Sequence, residues 1–428
     1  MLKGFRGKIF DFNHAANPEN LADHYRFFED GLLVVEDGLV KACGDFTRIK
    51  NSFNEVFEII NFGSSYIFPG FVDAHVHSVQ TAAIASHGNE LLDWLEKYIF
   101  PNERNFENPD YALEHTRFFL KQLLKNGTTT ALVYPSVHEN SAEALFQSAY
   151  DLNFRLITGN TWMDRNAPDY LLKSPQESYD SSVSLIKKWH KKGRLHFAAT
   201  PRYAITSSPE SLKVISTLMQ EHRDLYLQTH ISENKKEVAV VNHHYPNNNH
   251  YLDVYDSYGL LTPKTLLGHG IYLKDDELKR ISETGCSIVH CPSSNLFLGS
   301  GLFDYRKVLG HDIKIALGSD VGAGTSFSML QNLQDAYKIS ALTGKPLNPL
   351  LSFYFITLGG AKALHLDRKI GNFDKGREAD FVVIDPSLSD LLDYRLKFAD
   401  SLEEALFAII ILGGEQVVKN TFLMGKNI

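Results

Sequence analysis

A chain of 428 residues, 43% hydrophobic and 22% charged, has the composition of a globular protein large enough for two domains or for one α/β barrel with additions. A formal net charge of −8 with no run of Lys or Arg argues against a nucleic-acid partner. Cys43, Cys286 and Cys291 are too few and too scattered for a disulfide framework or a Cys-rich zinc knuckle. The N-terminal "MLKGFRGKIFDF" has no apolar signal region, and no stretch approaches the ~18 apolar residues of a membrane span, so a cytoplasmic protein with no membrane partner is expected.

The first 65 residues are β-rich. In "LLVVEDGLVKACG" (32–44) two apolar runs meet at Asp37-Gly38, which supplies the positive φ angles of a tight hairpin turn. After Pro69-Gly70 the pattern becomes strand–helix alternation, with strands expected at 71–77, 129–134, 156–160, 195–200, 225–230, 265–269, 287–290 and 313–320. Helices at 111–126 and 277–284 end at Asn126-Gly127 and Gly285, as glycine C-caps require. Eight repeats of this alternation predict a (β/α)8 TIM barrel, class α/β. "ADFVVID" (379–385) and "GGEQVVKNTFLMGK" (413–426) return to β. The expected division is therefore 1–68 and 373–428 forming one small β-sandwich-like domain, with the barrel at 69–372.

Chemistry-bearing residues gather at the predicted strand ends. Alternate residues of a strand project to one side, so His75 and His77 point together. "LQTHISE" places His230 at the end of the fifth strand with Glu233 just beyond it; "LLGHG" gives His269, "IVHCPSSN" gives His290, and "ALGSD" gives Asp320. Barrel enzymes build their sites from that face, so a metal centre is expected. Histidines with one carboxylate suit Zn²⁺, with Fe²⁺ or Mn²⁺ as alternatives. A cation so held lowers the pKa of its bound water from about 16 towards about 7, which is what hydrolysis needs. The fourth strand, "LHFAATP", carries no lysine for a bridging carbamate, which favours a single metal. A buried histidine satisfied by backbone groups is the competing account of His269, and for His290 a structural role is preferred. The aromatic face of Trp94, Tyr98 and Phe100 reads mainly as core packing.

"PGFVDAHVH", "THISE", "GHG" and "LGSD" together resemble the amidohydrolase superfamily over nearly the whole chain. Within it, "HVHSVQ", "LLDWLEKYIFPNE" (91–103), "PRYA" (201–204), "DVYDSYGLL" (253–261), "HCPSSNLFLGSGLF" (290–303) and "LGSDVGAGTSFSM" (317–329) resemble the guanine-deaminating branch. The resemblance implies zinc-dependent hydrolysis of guanine to xanthine and ammonia by attack of metal-bound hydroxide at C2, in a homodimer. It implies His75, His77, His230 and Asp320 as metal ligands, His269 as the residue that orients water, and Gln80, Arg202, Tyr203 and Glu233 as contacts to the purine. Glu233 is expected to be the general acid and proton shuttle, and Asp320 to accept the proton of water. Tyr203 stands where the family more often has Phe, and Ser319 where it more often has Thr; the Asn-rich loop at 247–249 is also unusual. The competing functions are deamination of another aminated heterocycle (a triazine, cytosine or an adenosine derivative) and a non-catalytic barrel used for binding or assembly. The H-x-E and P-C-x-x-C elements of nucleic-acid deaminases are absent.

Overall fold

The computed structural model describes residues 2–87 and 91–428. Four strands come first: β1 (Leu2–Phe12), β2 (Tyr25–Glu36), β3 (Leu39–Asp45) and β4 (Glu58–Pro69). The barrel strands follow as β5 (Phe71–His77), β6 (Thr128–Tyr134), β7 (Arg155–Thr158), the short β8 (Thr161–Trp162), β9 (Leu195–Pro201), β10 (Tyr226–Ile231), β11 (Thr265–His269), β12 (Ser287–His290) and β13 (Lys314–Leu317). The chain ends with β14 (Phe381–Ile384), β15 (Val418–Leu423) and β16 (Lys426–Asn427).

The strands sort into two sheets. One is seven-stranded, in the order β16-β15-β14-β4-β1-β2-β3, and so unites both chain ends as expected. The β2–β3 hairpin turns at Asp37 (φ 52°) and Gly38 (φ 84°), the paired positive angles that the Asp-Gly dipeptide tolerates. Phe5, Phe381 and Phe422 pack this sheet through ring contacts of 4.2–5.1 Å.

The other sheet runs β13-β12-β11-β10-β9-β7-β6-β5 in parallel, with β8 beside β9. Its ends meet where His77 N–H donates to Val321 C=O (3.0 Å) and Asp320 N–H donates to His75 C=O (2.8 Å), which brings the first and last strands together at the C-terminal face. Helix Pro109–Lys125 turns its buried residues Phe119, Leu120 and Leu123 inwards, and Gly127 (φ 81°) ends it. Helix Asp275–Thr284 stops at Gly285 in the left-handed conformation. The last barrel strand is shorter than its apolar pattern suggests, because Gly318, Ser319 and Asp320 leave the ladder and Asp320 adopts φ 49°. Among the described residues no helix is long and apolar enough to cross a membrane.

Candidate metal centre

Two glycines make room for the first ligand. A Cβ on Gly268 would lie 2.7 Å from His75 Cε1, and one on Gly318 would lie 2.5 Å from His75 Cβ. The glycines of "LLGHG" and "ALGSD" therefore let the β11 and β13 backbones close around the His75 ring. Asp73, fully buried on β5, ties the same strand to the far end of the barrel. Its Oδ1 accepts from Ser319 N–H (3.0 Å) and His75 N–H (3.3 Å), and Ser319 Oγ donates to Oδ2. Burial raises the Asp73 carboxyl to about 6, against the pull of those hydrogen bonds.

Five side chains converge at the mouth. Ligand-capable atoms of His75, His230, His269 and Asp320 all lie within 4.8 Å of one another. His77 belongs to the same cluster, since its Nε2 is 3.2 Å from His230 Nε2 and 3.2 Å from Asp320 Oδ1. His75 Nε2 is also 3.2 Å from Asp320 Oδ1. His269 stands further out, its Nε2 3.7 Å from Asp320 Oδ2 and 3.4 Å from Glu233 Oε2. Asp320 thus stands closer to His75 and His77 than to His269, and His269 faces both the cluster and Glu233.

The donor set fits a divalent cation. His230 Nδ1 donates to Arg202 C=O at 2.6 Å, which leaves the Nε2 lone pair aimed at His77 Nε2. Two imidazole nitrogens at that distance share either a proton or a bound cation. Four ligands at about 2.1 Å from a zinc ion would stand about 3.4 Å apart, close to the contacts seen. His75 Nε2 and His269 Nε2 are buried without a hydrogen-bond partner; the His75–Asp320 approach lacks hydrogen-bond geometry. Burial drives the His77 pKa down to about 3 and that of His230 well below its usual value, so the rings are neutral and free to coordinate. Burial raises the Asp320 carboxyl, but the surrounding imidazoles of His75, His77 and His269 outweigh it and hold it well below the usual carboxylate range.

Backbone strain marks the same place. Ser232 (φ 49°), His269 (φ 70°) and Asp320 (φ 49°) occupy left-handed conformations that non-glycine residues avoid, each at or beside a residue singled out for chemistry.

A cavity opens above the cluster, walled by Gln80, Leu91, Trp94, Leu95, Tyr203 and Glu233. Trp94 therefore has two roles: it packs with Ile99 and Phe100, as its helical spacing suggests, and it also faces the cavity. Glu233 is buried; Ser300 Oγ donates to its Oε1 at 2.9 Å. Burial, and then the nearby Asp320 charge, raise its carboxyl to about 8. Arg202 is buried as well, and its Nη1 donates to Glu103 Oε1 at 2.7 Å. His290 stacks on Phe303 (4.4 Å between centroids).

Three residues of the site carry no signal strong enough to have been picked out. Asp73 and Glu103 lie inside quoted motifs but act through distant partners. Glu237 accepts from the backbone N–H groups of Glu233 (2.8 Å) and Asn234 (3.1 Å) and from Tyr251 OH (2.8 Å), so it holds the turn that presents Glu233. Its local sign is the Asn234-x-x-Glu237 capping box, which predicts a helix start and nothing more.

Residues 66–428 match the model of the amidohydrolase family, and the chain belongs to that family. It is 45% identical over 426 residues to guanine deaminase of Escherichia coli K12, covering 99% of this chain and 97% of that one. The solved E. coli guanine deaminase superposes with a TM-score of 0.96 at 44% identity, over 100% of this chain and 99% of that one. A guanine deaminase from C. acetobutylicum, solved with guanine in its active site, superposes with a TM-score of 0.90 at 32% identity, over the full length of both chains.

Proposed function

We propose that this protein is a guanine deaminase that hydrolyses guanine to xanthine and ammonia with one zinc ion per chain held by His75, His77, His230 and Asp320. The observation that carries the proposal is the convergence of neutral histidines and an ionised aspartate beneath a cavity that offers Gln80, Arg202 and Glu233 to a flat polar ligand. Similarity to guanine deaminases over the whole chain supports the substrate. A divalent cation in this site acts as a Lewis acid that makes water acidic near neutral pH.

The protein's own groups divide the remaining work. Gln80 and Arg202 orient the base, and Tyr203 closes the wall beside His230, with ring centroids 6.5 Å apart. His269 and Asp320 position a water, and Asp320 takes its proton as the oxygen bonds to C2. Glu233 gives its proton to N3, so C2 becomes tetrahedral without a charged ring. The proton on Asp320 passes to the amino group, which leaves as ammonia, and the C2 hydroxyl returns its proton to Glu233 as the new carbonyl forms. One water is consumed, one ammonia leaves, and Glu233 and Asp320 end as they began. A carboxyl raised by burial is suited to donate at neutral pH. A cytoplasmic homodimer completes the proposal.

The test offers guanine, adenine, cytosine and an aminotriazine to the purified protein, with and without a chelator. Xanthine and ammonia from guanine, lost on chelation, is the expected result. A zinc-loaded protein that leaves guanine untouched, or prefers another of the four, overturns the proposal.

A further inference from the structure

Glu103 is a buried acid outside the lining of the cavity and away from the metal cluster. It is 0% exposed. It sits on helix Phe100–Arg104, and Ser136 Oγ donates to its backbone carbonyl at 3.2 Å, which pins the turn in place. One carboxylate oxygen accepts from Arg202 Nη1, and the Gln80 amide approaches the same carboxylate. A buried carboxylate paired with a buried guanidinium gives little net stability, whereas loss of either partner alone is costly. The pair therefore calls for an explanation beyond packing.

The explanation lies in the two neighbours of Glu103. Arg202 has five N–H donors in a rigid fork and no acceptor. Among the described residues its guanidinium bonds to the protein only through Nη1, so the ion pair fixes the plane of the fork while Nε and Nη2 keep their donors for the cavity. Gln80 is held by the opposite route. Gly322 N–H donates to its Oε1 at 3.3 Å, and a backbone N–H can face only the oxygen of an amide, so the Gln80 NH₂ is the end turned towards Glu103 and the cavity. Burial raises the Glu103 carboxyl, while Arg202 and the Gln80 amide hold it down, so both neighbours sense the same charge.

We propose that Glu103 is a positioning residue that makes this wall of the cavity present donors only, and so selects bases with a carbonyl oxygen on the edge facing Arg202 and Gln80. A base with an amino group there would meet N–H against N–H, and a base with hydrogen there would leave the fork unpaired. Either is rejected because a buried polar group loses its partner. The inference rests on the proposal that guanine is the substrate and that Gln80 and Arg202 contact it.

The discriminating probe is 2-aminopurine, which keeps the reacting C2 amino group of guanine and lacks the O6 acceptor. In Glu103→Gln the volume is kept and the charge is lost. We expect kcat/KM for guanine to fall by about 10- to 100-fold, mostly through KM, since hydrogen bonds to charged groups have that worth. Turnover of 2-aminopurine should change by less than about 3-fold, because the O6 acceptor for which Glu103 aligns the fork is absent. Glu103→Asp, which keeps the charge and shortens the reach, should lie between the two. Equal losses on both bases, or failure of both variants to fold, would make Glu103 structural and overturn the inference. A wild-type protein inert towards guanine would instead sink the proposed function, and the two failures cannot be confused.

Discussion

Buried charge is handled in opposite ways at the two ends of the barrel. Where the barrel meets the sheet of the chain ends, Arg155 pairs with Glu378 (Nε to Oε2, 3.2 Å), Arg194 Nη2 reaches Glu378 Oε2 (2.9 Å) and also Asp380, and Met424 N–H donates to Asp380 (2.9 Å). Within the sheet, Arg26 bridges Asp11 (2.8 Å) and Asp374 (2.8 Å). Each acid there meets a cation of the chain. At the C-terminal face the chain supplies acids and imidazoles in excess of partners, leaves His75 Nε2 and His269 Nε2 unbonded, and holds Ser232, His269 and Asp320 in strained backbone. Charge closed upon itself builds an architecture; charge left open with the backbone forced to present it builds a site.

Substitutions at the two ends should separate these uses. The largest effect is expected from His230→Ala, which removes a ligand while Arg202 C=O merely loses a donor: bound metal and guanine turnover should vanish together while the circular dichroism of the fold persists. Next is Glu233→Gln. It should retain metal and lose about 10²–10⁴-fold in kcat, the usual worth of an acid–base group. At the other end Glu378→Gln should cost about 3–5 kcal/mol of stability, because it leaves two arginines with a broken buried pair, yet kcat measured well below the melting temperature should be unchanged. Loss of turnover in that variant, in proportion to its loss of stability at a temperature where it is folded, would break the comparison.

The proposed ligands were legible because they stand at or just beyond the ends of three predicted strands, and strand ends can be counted from apolar runs and glycine punctuation. His75 and His77 needed only the two-residue period of a strand. The left-handed backbone at Asp320 was not legible, which is why β13 ends earlier than its pattern. Asp73 and Glu103 escaped for a plainer reason. Their partners lie 246 and 99 residues away in the chain, and neither carboxylate shows in its local sequence what it will meet. Glu237 was visible as a helix cap and invisible as the support of Glu233, since Tyr251 arrives from a later segment. Local rules reach residues whose role is set by their own element; roles set by closure of the barrel need the closed barrel.

In the proposed mechanism one cation gathered by His75, His77, His230 and Asp320 makes water reactive towards guanine. The most direct test is metal content and xanthine production followed together as the protein is stripped by a chelator and reloaded with zinc. The account predicts that activity disappears with the metal and returns in proportion to it, saturating near one ion per chain. Full guanine turnover by a metal-free protein, or saturation only at two ions, would contradict it.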